Sequence, residues 1–159
     1  MEKELIKQYA HTWRTFENIV KDFDDDSWVK TGRGAINPSK MALHILLATQ
    51  YNIDYKVPFD FPSGKPFNPD EWGIELDDLP TQDDILAFAK ETIVKTEEWL
   101  NTIEFSAKNE DFPWAGETKL GVVLFLLRHT VFHMGELSSL LNESKDGKVD
   151  DHFAGTVKA

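Results

Sequence analysis

Two histidines stand four residues apart in Arg128-His129-Thr130-Val131-Phe132-His133-Met134-Gly135-Glu136-Leu137, inside a long apolar stretch. A third, His44, stands alone among Met41, Leu47, Ala48 and Tyr51. On a helix, positions i and i+4 share a face, with Cβ atoms about 5–6 Å apart. Two imidazoles so placed can converge on one ion at a Zn–N distance of about 2.0–2.1 Å. If the segment carrying His44 lies beside that pair, it supplies a third ligand. Three protein ligands plus an open position is the usual form of a catalytic metal site. Imidazole-rich sets suit Zn, Ni, Fe or Cu. Bound there, an ion can lower the pKa of a water or hold a thiol as thiolate.

The same residues admit plainer readings. An H-x-x-x-H pair is a short motif that also arises by chance. It can sit half-exposed at a helix seam, and a lone histidine can be a satisfied core residue. Yet on a helical wheel Val122, Phe125, Leu126, Leu137 and Leu140 share the face of His129 and His133. That face looks inward, where ring nitrogens need partners.

Other metal chemistries fit less well. A zincin needs Glu after its first His, and Thr130 holds that place. No Glu-x-x-His pair of the di-iron bundles occurs. Cysteine is absent, which removes thiolate sites, disulfides and a cysteine nucleophile. There are 28 acidic residues against 17 basic ones, a net charge of −11. With no cluster of Lys and Arg, neither nucleic acid nor an anionic membrane is an expected partner. The acidic runs Asp24-Asp25-Asp26 and Asp77-Asp78 read as solvated turns, since no calcium-loop spacing accompanies them. The apolar run before Arg128 is too short to span a bilayer, and no signal-peptide core opens the chain. Cytoplasmic localisation is the expectation.

Four main helices must position the histidines. The first covers about residues 4–21, with Leu5, Tyr9, Trp13, Phe16 and Val20 on one face. A turn over residues 24–28 and a loop through Thr31-Gly32-Arg33-Gly34 follow. Asn37-Pro38 opens the second helix as N-cap and first helical residue, and the helix reaches about Asp54. Pro58, Pro62, Pro66 and Pro69 interrupt residues 57–80, and Phe59, Phe61, Phe67 and Trp72 favour a packed cover over a loose linker. That cover could border a pocket at the histidines or merely cap one end of the helices. Thr81 caps the third helix, with Asp83 and Asp84 at its positive end. Its buried side reads Ile85, Phe88, Ala89, Thr92, Ile93, Thr96, Trp99 and Leu100. Residues 101–116 form a second loop, and about residues 118–141 form the fourth helix, before a polar tail. The expected fold is all-α: one domain over residues 1–159, a four-helix bundle with a long crossing connection between the second and third helices.

This order, with Pro38-Ser39-Lys40-Met41-Ala42-Leu43-His44-Ile45 on the second helix and H-x-x-x-H-x-G on the last, resembles the DinB-like (DinB/YfiT) superfamily. Trp28 before the second helix fits the same look. The resemblance spans nearly the whole chain as a pattern, but only those short stretches are specific. It implies a divalent metal (Zn, Ni or Fe) on His44, His129 and His133, with water in the open positions. Some relatives use a low-molecular-weight thiol, mycothiol or bacillithiol, in transfer or isomerisation reactions. The resemblance also implies a homodimer, and Leu120, Leu124, Leu127, Val131 and Met134 form a second stripe available to a partner subunit. Where many family members carry Gln, this chain has Glu136, either a partner for a ligand N–H or a solvated residue. Two functions compete: a metal-dependent transferase or hydrolase acting on a small molecule, and a non-catalytic binding protein with a structural metal. No general base or cofactor-binding residue stands out. His11 is the candidate for an unexpected fourth ligand, and His152 reads as an ordinary exposed residue of the tail.

Overall fold

The computed structural model describes residues 2–31, 37–149 and 151–157. Six helices and no strand occur among them, so the fold is all-α, with four long helices. The first, α1 (Glu2–Asp22), buries Tyr9, Trp13, Phe16 and Val20, the face its spacing predicts. The expected turn over residues 24–28 is instead a short helix, α2 (Asp25–Val29). Asp24 caps it by accepting from the Ser27 N–H at 2.8 Å, so the acidic run serves a helix start. Trp28 is buried there, and its indole N–H donates to the Pro80 carbonyl at 2.9 Å. The expected loop through Gly32, Arg33 and Gly34 lies outside the described residues.

Asn37 and Pro38 open α3 (Pro38–Asn52) as the sequence requires, Asn37 accepting from Lys40 N–H. The helix stops two residues before Asp54, which takes a left-handed φ of 56° that an aspartate tolerates. Thr81 caps α4 (Gln82–Thr102) in a reciprocal capping box with Asp84. Ile85, Phe88, Ala89, Thr92, Thr96 and Leu100 are buried as expected, while Ile93 and Trp99 are half-buried. The last long helix, α5 (Lys119–Ser144), starts where Gly121 passes Ala115. A Cβ on Gly121 would stand 2.4 Å from the Ala115 carbonyl oxygen, so no other residue fits.

The tail is not a simple polar coil. Residues His152–Val157 form α6, which packs on α1. Thr156 joins it to His11 and Thr15, with Oγ1 at 2.7 Å from His11 Nε2 and 2.8 Å from Thr15 Oγ1. His152 is therefore no free surface residue: its Nε2 lies 3.1 Å from Asp22, which Lys145 also pairs.

Among the long helices, α1 packs on α4 and α5, and α3 packs on the same two. The long connection thus joins neighbours, α3 to α4, and is not the crossing one. The steps between helices without extensive contact are α1 to α3 and α4 to α5. By length and composition alone α5 could cross a membrane, beyond what its first apolar run suggested. Here it buries Val122, Val123, Leu126, Leu137 and Leu141 against the other helices. The second stripe is not uniform: Met134 is buried, Leu120 and Leu127 are half-buried, and Leu124 and Val131 are exposed.

The connection is a packed cover. Phe59, Phe61 and Phe67 gather on Phe88 of α4, with ring centroids 5.0 to 6.4 Å away. Asp84 holds it from the helix end. Its fully buried carboxylate accepts from Ser63 N–H at 2.9 Å, Ser63 Oγ at 2.6 Å and Thr81 N–H at 2.9 Å. Lys65 Nζ donates to the Asp77 and Leu79 carbonyls at 3.1 and 2.6 Å. Burial pushes the Asp84 carboxyl up, but its bonds from Ser63 and Thr81 outweigh burial, so it ionises below the usual range.

A depressed folded pKa gives stability that is present above the unfolded value and lost as pH falls through the folded one. Asp84→Ala is expected to cost about 3 kcal/mol near neutrality, from the lost cap and the stranded donors. The gap from wild type should narrow in acid as wild type loses the same charge. Urea melts across pH measure this. A gap that stays constant down to about pH 2 would show that the charge contributes nothing.

Candidate metal centre

Because α3 and α5 are neighbours, His44 meets His129 and His133. The ligand-capable nitrogens of the three lie within 4.8 Å of one another, all on half-buried side chains. Their ring centroids stand 4.4 to 5.3 Å apart. His129 Nε2 and His133 Nε2 are 3.1 Å apart. At that distance two imidazole nitrogens share either a proton or a cation.

Carboxylates fix two of the rings from behind. Glu136, one turn beyond His133, brings Oε2 to 2.6 Å from His133 Nδ1. Of its two sequence readings, the structure shows Glu136 as a partner of the His133 ring. Glu71 Oε1 lies 2.5 Å from His44 Nδ1. An ionised carboxylate only accepts, so each Nδ1 donates its proton backward and each Nε2 is the nitrogen turned toward the other rings. Burial alone would raise the Glu71 carboxyl, but hydrogen bonds from His44 and its own backbone N–H outweigh burial, and the net direction is down. The third ring is held differently. His129 Nδ1 is buried and has no partner among the described residues, and Phe125 stacks on the ring at 5.9 Å. Burial, then the neighbouring His133 and His44, push the His129 pKa down to about 4. It is neutral at physiological pH, the state a cation requires.

Glu71 was not foreseen. It comes from a 3-10 turn, Glu71–Gly73, inside the connection, and is itself buried. Lys40, one helical turn before His44, donates to the Trp72 carbonyl at 3.0 Å, and the Trp72 ring lies 5.5 Å from the His44 ring. Thus α3 grips the turn at two successive positions. No spacing rule announces a partner 27 residues away across a proline-rich segment. The only hint was an acid beside an aromatic in a cover too aromatic to be loose.

The set fits a divalent ion. Two nitrogens bound to one ion at about 2.0–2.1 Å stand about 3–3.4 Å apart, which brackets the His129–His133 spacing. The widest pair, within 4.8 Å, must close by up to about 1.4 Å to reach the tetrahedral spacing. Carboxylates behind two rings are what metal-bound histidines usually have. His11 is not a fourth ligand, because Thr156 and the edge of Phe153 occupy its ring. Comparison with family models, curated proteins and solved structures returned no match.

Replacing both His129 and His133 by Ala is expected to abolish stoichiometric metal in elemental analysis. Glu71→Gln and Glu136→Gln should each weaken metal affinity by about 10- to 100-fold in a chelator competition, with helix content unchanged. Equal affinity in both Gln variants would remove the carboxylates from the centre.

Proposed function

We propose that this chain is a divalent-metal-dependent enzyme acting on a small molecule, a transferase or a metal-assisted hydrolase. The observation that carries the reading is the convergence of three imidazoles, two of them oriented by buried or half-buried carboxylates. That arrangement costs desolvation and ordering, and a bound cation offsets both. In this reading His44, His129 and His133 hold the ion through Nε2. Zn, Ni or Fe suits them better than Mg or Ca, which prefer oxygen. When bound, the ion supplies Lewis acidity toward a water, a thiol or a substrate oxygen. The chain's own contribution is to hold Glu71 and Glu136 hydrogen-bonded behind two rings and to pack Trp72, Phe125 and Phe132 against the cluster.

The same reading takes the four long helices as a four-helix bundle of DinB-like type. Each long helix has two long neighbours, which supports it. A low-molecular-weight thiol is then one candidate co-substrate. The three-ligand set also favours an enzyme over a binding protein, because it leaves a coordination position to exchange.

The test uses protein purified without a histidine tag. Elemental analysis should find about one ion per chain, and cobalt-loaded protein should change its visible bands when azide or a small thiol is added. Bands indifferent to every added ligand would favour a structural metal. Failure to retain any divalent ion would sink the proposal.

A further inference from the structure

A cavity of about 510 Å³ opens between α3 and the connection and touches the histidine cluster at His44, on the side where Glu71 bonds it. That is within the range of small-molecule sites, about 300–1,000 Å³. Along α3 its wall runs from His44 through Leu47 and Ala48 to Tyr51, a rise of about 10 Å over seven residues. Val57, Pro58, Phe67 and Pro69 of the connection face them. The body of the cavity is therefore apolar, and its charged groups belong to opposite ends of the α3 wall. Glu71 is bonded to His44 at one end. Lys56 lies over the Tyr51 ring at the other, its Nζ 4.4 Å from the centroid.

Lys56 has no carboxylate partner among the described residues. In a chain with 28 acids and 17 bases, a cation set over a ring and without a carboxylate among the described residues, at the rim of a mostly apolar cavity, stands ready for an outside acid. The Glu71 carboxylate disfavours a second acid at its own end, which sets the polarity of whatever enters.

We propose that this cavity takes the apolar body of the substrate and that Lys56 receives an acidic group remote from His44. The substrate class is a small amphiphilic acid about 10 Å long, with its other end at His44, the cluster member that lines the cavity. This deepens the metal-enzyme reading and rests on it.

Two arms test it. Cobalt-loaded protein is titrated with the monohydroxamates of adipic, suberic and sebacic acids and with methyl-ended hydroxamates of the same lengths. Metal-free protein is titrated with octanoate and with octanol by calorimetry. The acid-ended compounds should bind about two- to fivefold tighter than their neutral counterparts, the gain of an exposed ion pair, and one length should be best. Lys56→Gln should erase that preference and leave neutral-ended binding unchanged. No preference at any length, or a preference that survives Lys56→Gln, would overturn the cavity assignment. Cobalt bands unmoved by any hydroxamate would count against the metal reading alone, since the calorimetric arm needs no metal. Lys56-dependent octanoate binding there would keep the cavity assignment standing.

Discussion

Half-buried imidazoles must find partners for two nitrogens each, and three such rings side by side leave the site short of donors and acceptors. The rest of the molecule is arranged around that shortage. Glu136 and Glu71 take the outer nitrogens of His133 and His44. The inner nitrogens are left facing one another at distances suited to a shared cation. Glu136 is available simply because it lies one turn along the same helix. Glu71 is available only because the whole connection is pinned, by Asp84 at Ser63, by Lys65 at two carbonyls and by Phe88 under three rings. A segment with no regular structure over much of its length thus has a defined task. It delivers one carboxylate to the back of one ring.

Much of this was legible in the residues. The caps at Asn37 and Thr81 and the apolar faces of α1 and α4 follow from local rules that need no tertiary knowledge. So does the shared face of His129 and His133. His44 was readable as a third member because it interrupts an apolar helix. What escaped was non-local. Glu71 reaches His44 across a loop whose path no periodicity describes. The short helix α2 looked like a turn because its capping residue belongs to an acidic run. The tail looked solvated because α6 is held by single polar contacts, Thr156 to His11 and His152 to Asp22, rather than by an apolar stripe. The order of helices around the core was also out of reach, since neighbours are chosen by packing and not by chain proximity.

The electrostatics of the site oppose those of the surface. The chain carries a net charge of −11, yet its candidate metal centre gathers three imidazoles, two of them bonded by one buried and one half-buried acid. A negative exterior draws divalent cations near without selecting among them. In the proposed reading, selection is left to three nitrogens and to the geometry of two helices.

That geometry has a consequence for when the protein can acquire an ion. His44 lies on α3, and its companions lie on α5, which leaves the ribosome after the other three long helices among the described residues. Until residue 133 has emerged and α5 has docked, the nascent chain offers isolated imidazoles of ordinary affinity. The cover over His44, residues 57–80, is by then already synthesised and can fold against α3 and α4. Under the metal reading proposed above, loading waits for α5, and a nascent chain that stops short of residue 133 lacks at least one of the three ligands.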